Sequence, residues 1–194
     1  MKKNLCLFFC GFIMLALSGA CYGQLQVIST IAGNSSVAPG YSGDGGAASA
    51  SLLNHPASVA TDAAGNIYVA DFANHVVRKI STSGIITTFA GNGTAGYTGD
   101  GAAATAAMLS GPTGLATDVA GNLYIADAVG NVIRRVSATG VISTFAGTGS
   151  GGYSGDLGAA TAAQISSAYG VATDNLGNVY IAKIKPFRWT HQRR

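Results

Sequence analysis

The sequence predicts an all-β fold, a partial and open β-propeller built from four-stranded antiparallel blades. Three observations support this prediction. First, one motif occurs three times at a spacing of 56 residues, as GYSGDGGAA from Gly40, GYTGDGAAA from Gly96 and GYSGDLGAA from Gly152. Second, short segments with alternating apolar residues lie between turns rich in Gly, Asp and Asn. Third, the chain has 28 Gly, eight Asp and no Glu, a composition that suits tight turns better than helix surfaces.

The 56-residue register extends well beyond this motif. Tyr41, Tyr97 and Tyr153 keep the spacing, and no insertion interrupts it between the repeated positions. The other repeated columns are Asp44, Asp100 and Asp156; Asp62, Asp118 and Asp174; Asn66, Asn122 and Asn178; and Tyr68, Tyr124 and Tyr180. A fixed period of this length indicates structural units that stack on one another.

Each complete unit is predicted to contain four strands. In the first unit the strands span residues 57–62, 66–70, 75–80 and 85–90. In the second unit they span residues 114–118, 122–126, 131–136 and 141–146. Residues 66–70 alternate in the β manner, with Ile67 and Val69 on one face. Four antiparallel strands joined by short turns form one blade of a propeller.

The units add up to about two and a half blades. A leading strand is expected at residues 27–32, followed by two full blades and two strands of a third. Ala-rich stretches between the blades, such as AAATAAMLS, predict one or two helical turns each. A propeller ring needs about four to eight blades, so this ring is expected to stay open. Strand 178–182 is then an unpaired edge, and we expect poor solubility or self-association through such edges.

The N-terminus has the features of an export signal, predicted to span residues 1–23. Lys2 and Lys3 precede the apolar run LCLFFCGFIMLAL and the small residues SGACYGQ. The run is short for a membrane span, so no span is expected after its removal. We therefore expect a secreted, periplasmic or cell-surface protein, with a lipoprotein anchored through Cys21 as the competing interpretation. All three Cys lie in or beside this leader, so the mature chain is expected to have no disulfide framework and no Cys metal site.

Residues 24–182 are predicted to form the repeat domain, and residues 183–194 depart from it. After Ala182 the repeat predicts an Asp, but Lys183 stands there and the following residues show no repeat feature. We interpret this tail as the mark of a truncation or frameshift rather than as a designed cap.

The charge distribution excludes nucleic acid as an expected partner. Between residues 24 and 184, five basic residues stand against eight Asp, which gives a net charge of about −3. Binding to nucleic acid requires a basic face that neutralises phosphates, and the repeat domain does not offer one.

The repeats resemble the NHL-repeat family of propellers. The matching segments are PTGLATDVAGNLYIAD (112–127), NVIRRV and STFAG (143–147) in the second unit, and HPASVATDAAGNIYVADFANHVVRKI in the first. The GYSGDGGAA element resembles the longer NHL variety of bacterial secreted proteins and of the teneurin propeller. The resemblance covers about residues 27–182. Because NHL propellers serve mainly as binding scaffolds, it implies a binding or scaffold module for an unknown protein or glycan.

The thrice-repeated motif has a structural and a functional interpretation. In the structural one, Gly supplies positive φ, the Tyr rings pack with their hydroxyls outward, and Asp44, Asp100 and Asp156 cap the Ala-rich turns. In the functional one, the carboxylates hold a cation such as Ca²⁺. A calcium site takes about six to eight oxygen ligands, whereas each loop offers one Asp. The structural interpretation is therefore favoured, and no metal site is assigned.

One face of the propeller is expected to carry any binding site. The loops from strand two to strand three, and from strand four to the next blade, share a face in propeller topology. Hairpin turns explain the remaining Asp columns without catalysis. The predicted binding residues on this shared face are Tyr41, Asp44, Asp71, Asn74, Tyr97, Asp100, Asp127, Tyr153 and Asp156.

Enzymatic activity is the alternative. Some relatives of similar architecture are metal-dependent lactonases or lyases, whose sites gather carboxylates, Asn or His from different blades. The nearly identical columns of this chain disfavour such a site, so no catalytic residue and no cofactor is assigned. A non-functional product of a truncated gene is a third hypothesis.

Two further sets of side chains are assigned structural positions. Arg78 and Lys79, with the equivalent pair in the second unit, are predicted to be solvated residues of third strands that have an occasional Asp partner. His55 and His75 do not recur, because Gly111 and other residues take their places, so a metal site built on them is not expected.

Overall fold

The computed structural model describes residues 28–34 and 36–183 of the chain. The first sheet consists of β1 (Pro56–Thr61), β2 (Ile67–Asp71), β3 (Val76–Ile80) and β4 (Ile86–Ala90). The second consists of β5 (Pro112–Thr117), β6 (Leu123–Asp127), β7 (Val132–Val136) and β8 (Ile142–Ala146). The third unit contains β9 (Tyr153–Ser154), β10 (Gln164–Ile165), β11 (Ala168–Thr173) and β12 (Val179–Lys183). Neighbouring strands in each sheet are antiparallel and follow chain order, except that β9 and β10 form a separate pair.

This architecture confirms the predicted all-β, partial propeller. Two sheets of four strands are complete, and among the described residues the sheet of β11 and β12 has two strands. The predicted strands differ from the observed ones by only a residue or two at their ends. The tight turns predicted from Gly and Asp set these ends, since Gly65, Gly121 and Gly177 all have positive φ at the same turn position.

Short 3₁₀ helices occupy the predicted Ala-rich turns, each only three residues long. They span Ala48–Ala50, Ala104–Ala106 and Ala160–Ala162. A fourth, Phe72–Asn74, lies in the turn between β2 and β3. Ala48 and Ala104 are buried, and their amides donate to the carbonyls of Gly84 and Gly140 at 2.8 and 2.9 Å. The first two Ala-rich turns therefore dock against the turn between the third and fourth strands of their own sheets.

The sheets stack through their first strands, because β1 contacts β5 and β5 contacts β11. The Thr117 hydroxyl donates to the Thr61 carbonyl at 2.7 Å, and 56 residues later the Thr173 hydroxyl donates to the Thr117 carbonyl at 2.8 Å. Gly114 permits this approach, since a Cβ there would lie 2.7 Å from the Tyr169 carbonyl oxygen. Between the sheets the core is apolar, with Leu109 and its neighbours fully buried. Burial of these side chains is the main force that holds the stack together.

The prediction of a leading strand at residues 27–32 is wrong for the part of it that the structure describes. Residues 28–32 form no strand, and the Ile28 side chain is 98% exposed. A strand needs a neighbour to pair its amides and carbonyls, and no described strand pairs with this segment. It is held further along, where Gly33 donates to the Ala48 carbonyl at 3.0 Å.

The predicted leader (1–23), with Cys21, and almost all of the predicted tail (183–194) lie outside the described residues. Within the described ranges, no helix has the length and apolar character needed to cross a membrane.

Candidate binding site

A β-bulge recurs near the start of the first strand in every unit. Pro56 pairs with Asp71 and Ser58 pairs with Ala70, which leaves Ala57 outside the ladder. The same shift leaves Thr113 outside the ladder in β5 and Tyr169 outside it in β11. Bulges turn a side chain away from the sheet and are frequent beside binding sites. These three positions are 56 residues apart, so the bulges form one column.

The three bulge residues meet in a shallow pocket of about 420 Å³. Its lining is His55, Pro56, Ala57, Phe72, Thr113 and Tyr169. It lies where the loop into β1 and the turn after β2 come together, on the face that the sequence predicts for binding. None of the nine predicted binding residues lines it. The signal that could have found it is a column that changes from Ala to Thr to Tyr three residues before the repeated Ala-Thr-Asp segment.

His55 and Tyr169 are the exposed polar side chains of this pocket. Tyr169 is 51% exposed and His55 is exposed beside it. His55 Nδ1 lies 2.7 Å from Asn54 Oδ1; when Nδ1 donates to this oxygen, Nε2 is left as an acceptor. The Thr113 hydroxyl hydrogen is already used, because the carbonyls of Ala126 and Ala168 share it at 3.2 and 3.1 Å. The pocket thus offers an aromatic face and one acceptor at its rim.

Asp71 and Asn74, two of the predicted binding residues, lie behind the pocket and hold its rim. Asp71 is fully buried, and its Oδ1 accepts the Asn54 amide at 2.7 Å. Its Oδ2 accepts from Asn74 Nδ2 at 2.8 Å, and the same amide group donates to the Gly40 carbonyl at 2.8 Å. Burial raises the pKa of Asp71, while bonds from Asn74 and Asn54 and the charge of Arg78 oppose that rise. These bonds fix the segment that carries His55.

Asp127 has the same place in the second sheet but fewer partners. It is fully buried, and its Oδ1 accepts the Ser110 amide at 2.7 Å. Gly130 stands where the first unit has Asn74, and no described residue bonds Asp127 Oδ2. Burial raises the pKa of Asp127 to about 7, against the opposing effects of the Ser110 amide and the Arg134 charge. Neither Asp71 nor Asp127 has surface with which to contact a ligand directly.

Tyr41 and Asp44 lie further out, around the buried side chain of Arg78. Arg78 pairs with Asp44 Oδ1, and its guanidinium carbon lies 4.8 Å from the centre of the Tyr41 ring. The Tyr41 hydroxyl bonds the Thr88 hydroxyl rather than pointing freely outward. Burial works to raise the pKa of Asp44, but the bonds from Thr88 and the charge and bond of Arg78 outweigh it and lower that pKa.

Two expectations are wrong here. Asp44, Asp100 and Asp156 do not cap the Ala-rich turns, because none of these turns has a side-chain cap. Arg78 and Arg134 are not solvated, since both are fully buried. In the first two units the reason is shared: the motif folds over the third strand, so the carboxylate meets the guanidinium instead of the helix terminus. Lys79 is half-buried and Arg135 is exposed, so these two side chains agree better with the predicted solvation than Arg78 and Arg134 do.

The second unit repeats this arrangement, and of the third unit the described residues include only the outer half. Arg134 pairs with Asp100 Oδ1 at 2.7 Å, while Tyr97 is 44% exposed. Tyr153 is 58% exposed, and Asp156 is exposed as well. The nine predicted residues therefore divide into three buried or half-buried supports behind the pocket and six exposed residues near the outer strands.

The remaining Asp column builds hairpin turns, as predicted. Asp62 Oδ1 accepts the Asn66 amide at 2.9 Å, and its Oδ2 accepts from Asn66 Nδ2 and from the Tyr68 hydroxyl. Asp118 and Asp174 repeat all three bonds. In the third copy the bond from the Asn178 side chain is the main cause that lowers the pKa of Asp174 to about 2.

His75 and Asn131 perform one task between neighbouring sheets. His75 Nδ1 accepts the Gly111 amide at 3.2 Å, and Asn131 Oδ1 accepts the Ser167 amide at 3.1 Å. Both residues have left-handed backbone, with φ of 56° and 55°. Within residues 28–34 and 36–183 there is no group of three or more His, Cys, Asp or Glu side chains that could hold a metal ion.

Comparison with known families gives a match over more than half of the chain. The sequence model of the teneurin NHL domain matches residues 26–98 and again residues 92–154. Protein SUPPRESSOR OF QUENCHING 1, chloroplastic, from Arabidopsis thaliana is 38% identical over 86 residues, which are 44% of this chain and 8% of that protein.

Two solved structures from Bacteroides thetaiotaomicron share the fold. A protein of unknown function is 29% identical with a TM-score of 0.55, covering 61% of this chain and 30% of that chain. An auxiliary nutrient binding protein is 21% identical with a TM-score of 0.51, covering 63% of this chain and 33% of that chain. The matched region is thus a third or less of the length of each of these relatives.

Proposed function

The chain belongs to the family of the teneurin NHL domain, and from this premise we propose that it is an exported binding module. Its ligand is a protein or a glycan, recognised on the face that carries the bulge pocket. One observation carries the proposal: three bulges, one per unit, bring Ala57, Thr113 and Tyr169 into a single pocket. The rest of the repeat supplies a rigid frame for these variable positions.

The chemistry of the pocket suits a ligand that presents both a flat apolar surface and polar hydrogens. The half-exposed ring of Tyr169 offers stacking area at a low entropic cost. His55 adds an acceptor next to it, and Pro56 and Phe72 supply apolar walls. A sugar ring with an apolar face meets this description, as does an aromatic or proline-containing peptide. The exposed residues near the outer strands, such as Tyr41 and Tyr97, extend the contact surface away from the pocket.

Export is part of the proposal. A leader at residues 1–23 directs the repeat domain (24–182) out of the cytoplasm, and lipidation at Cys21 is the competing form. Mass spectrometry of the mature N-terminus distinguishes the two: a free terminus at Cys21 or Gln24 supports cleavage alone, and a diacylated Cys21 supports the anchor.

The test of binding compares two substitutions of exposed side chains. The purified chain is screened on a glycan array and on a library of displayed peptides, and each hit is titrated. Tyr169→Ala is expected to weaken binding about tenfold or more, because it removes the aromatic anchor. Val119→Ala is the matched control, since Val119 is 75% exposed in the β5–β6 turn, away from the pocket. Ligands that bind both variants equally, or an absence of hits in both libraries, would contradict the proposal.

A further inference from the structure

An apolar groove with one carboxylate lies between the third unit and β8. It has a volume of about 240 Å³, and its lining includes Ala146, Ala163, Ile165, Ile181 and Asp156. Beside it runs the outer edge of β12, which pairs with no strand among the described residues. No described residue donates a hydrogen bond to the Asp156 carboxylate.

At the equivalent position in the second unit, apolar side chains and an arginine fill the space. The positions 56 residues earlier include Ala90, Ala107, Leu109 and Ile125, all fully buried in one core cluster. Arg134 of β7 enters this region and is itself fully buried. Its guanidinium pairs with Asp100 at 2.7 Å and donates to the carbonyls of Met108 and Thr98 at 3.1 and 3.4 Å.

The first unit repeats the arrangement with its own arginine. Arg78 of β3 pairs with Asp44 and donates to the carbonyls of Ser42 and Leu52. In both units the arginine comes from the strand that pairs with the second strand of the sheet. Arg78 lies opposite Val69 in the first sheet, and Arg134 lies opposite Ile125 in the second.

In the third unit, the segment that would accept such an arginine has the same conformation as in the first two units. Ser154 pairs with Gln164, just as Ser42 pairs with Leu52 in the first unit. Gly155 has φ of 97°, close to the 99° of Gly99 before Asp100. The acceptors that hold an arginine in the first two units therefore have counterparts at Asp156, Ser154 and Gln164.

We propose that this groove binds an antiparallel β-strand of a separate polypeptide, and that an arginine of that strand enters the groove and pairs with Asp156. The ladder of the second unit sets the register. Arg134 faces Ile125, Arg135 faces Tyr124, and apolar residues face Ala126 and Leu123. A matching strand on β12 therefore has the pattern apolar–Arg–basic–apolar, with its arginine opposite Ile181.

The arrangement of the acceptor oxygens favours arginine over lysine in the proposed strand. In the filled units one guanidinium bonds a carboxylate and two carbonyls at once. A planar fork with five N–H donors can do this, whereas an ammonium is a point charge with a different geometry. The negative charge of Asp156 and the open edge of β12 supply charge complementarity and backbone bonds for such a strand.

The test uses the full chain and a labelled peptide that copies residues 130–138 of the second unit, GNVIRRVSA. Fluorescence anisotropy is expected to show saturable binding. Replacing the first arginine of the peptide by lysine is expected to weaken binding about tenfold or more, because a charge-assisted bond set is lost. Replacing the second arginine by lysine is the matched control, expected to change affinity less than about threefold.

Substitutions in the chain complete the design. Asp156→Asn is expected to weaken binding of the unmodified peptide. In the Asp156→Asn chain, replacing the first arginine of the peptide by lysine is expected to cause no further loss of affinity. Asp118→Asn, in a distant turn, is expected to leave the affinity for the peptide unchanged. Circular dichroism verifies the fold of each variant. Absence of peptide binding to the full chain, as when its own C-terminal residues or a second copy fill the groove, overturns the proposal. Equal affinity for arginine and lysine peptides also overturns it.

Discussion

Asp71 and Asp127 show how one neighbour changes the hydrogen bonding of a buried carboxylate. Both are fully buried at the end of a second strand. Asp71 has a donor for each oxygen, from Asn54 and Asn74, whereas Asp127 has Gly130 in the place of Asn74 and no described donor for Oδ2. An unpaired carboxylate oxygen in an apolar site disfavours the charged form.

Stability is expected to fall as the pH rises from about 4 to 7, with Asp127 as a main cause. Burial raises its pKa to about 7 from 3.8, so in this window the folded chain keeps a proton that the unfolded chain releases. The free energy of unfolding then decreases with pH, by at most about 4 kcal/mol for a shift of this size. Asp127→Asn keeps the acceptor for Ser110 without the ionisation, and is expected to flatten this dependence. Thermal melts between pH 5 and 7 measure it.

Asp118→Asn is the control for this experiment. Burial works to raise the pKa of Asp118, but bonds from Asn122 outweigh it and the pKa is lowered. Its contribution to stability is therefore complete above about pH 4. The variant is expected to be less stable yet to keep the wild-type slope between pH 5 and 7. A wild-type chain whose stability is flat or rises across this range would contradict the assignment to Asp127.

Residues differ in how far the sequence predicts their roles. The turn residues Asp62 and Asn66 are local, because their bonds close within four residues, and the sequence predicts them correctly. Arg78 is not local: its burial depends on a motif 34 residues earlier folding over it. The bulge at Ala57 cannot be predicted from the sequence for a similar reason. The pairing of β1 with β2 sets the register that leaves Ala57 without a partner in the ladder.

Between elements, one side chain locks each sheet to the next. His75 and Asn131 each accept the backbone amide of the residue immediately before the next first strand. The sequence shows these as different residues, so the shared role is visible only once the sheets are stacked. Both types tolerate the left-handed backbone that this position requires.

Asn131→Gly is expected to loosen the third unit from the second. Glycine keeps the left-handed backbone and removes the side chain, with its bond from the Ser167 amide and its longer bond to the Val129 carbonyl. The loss should therefore be about 1–2 kcal/mol in the free energy of unfolding. The Ser167 amide should exchange with deuterium faster, because its bond to Asn131 is gone. His75→Asn supplies an equivalent acceptor and is expected to stay within about 0.5 kcal/mol of wild type. Unchanged exchange at Ser167 in the glycine variant would show that the bond contributes nothing to the junction.

The strands themselves were predictable because alternation and turn residues are properties of short segments. β2 and β6 illustrate this: each follows an Asp-to-Asn turn that fixes its start. The leading strand at 27–32 has a suitable sequence but no described partner strand, and pairing decides whether a strand forms. The two-residue strand β9 lies in the Gly-rich motif and β10 follows the Ala-rich stretch, and neither has an alternation long enough to detect.

The two ends of the stack differ from its middle, and this difference predicts how the whole molecule behaves. Val59 of β1 is 67% exposed, whereas Leu115, its equivalent in β5, is only 7% exposed because a neighbouring sheet covers it. At the other end, Tyr180 of β12 is 57% exposed on a surface that also includes Val171. Apolar sheet surface and an unpaired edge strand both favour association.

We therefore expect the purified chain to self-associate at micromolar concentrations, and Val59→Lys to reduce this association about fivefold or more. A lysine charge on the β1 face must be desolvated when a second sheet packs there, which disfavours the contact. Val119→Lys is the matched control, since Val119 is similarly exposed, at 75%, but lies in a hairpin turn. Sedimentation velocity over a concentration series measures both. If Val59→Lys and Val119→Lys self-associate equally, the interface between copies lies at the edge of β12 and not on the β1 face. A chain that stays monomeric and melts in one sharp transition would show that the exposed sheet surfaces do not drive assembly.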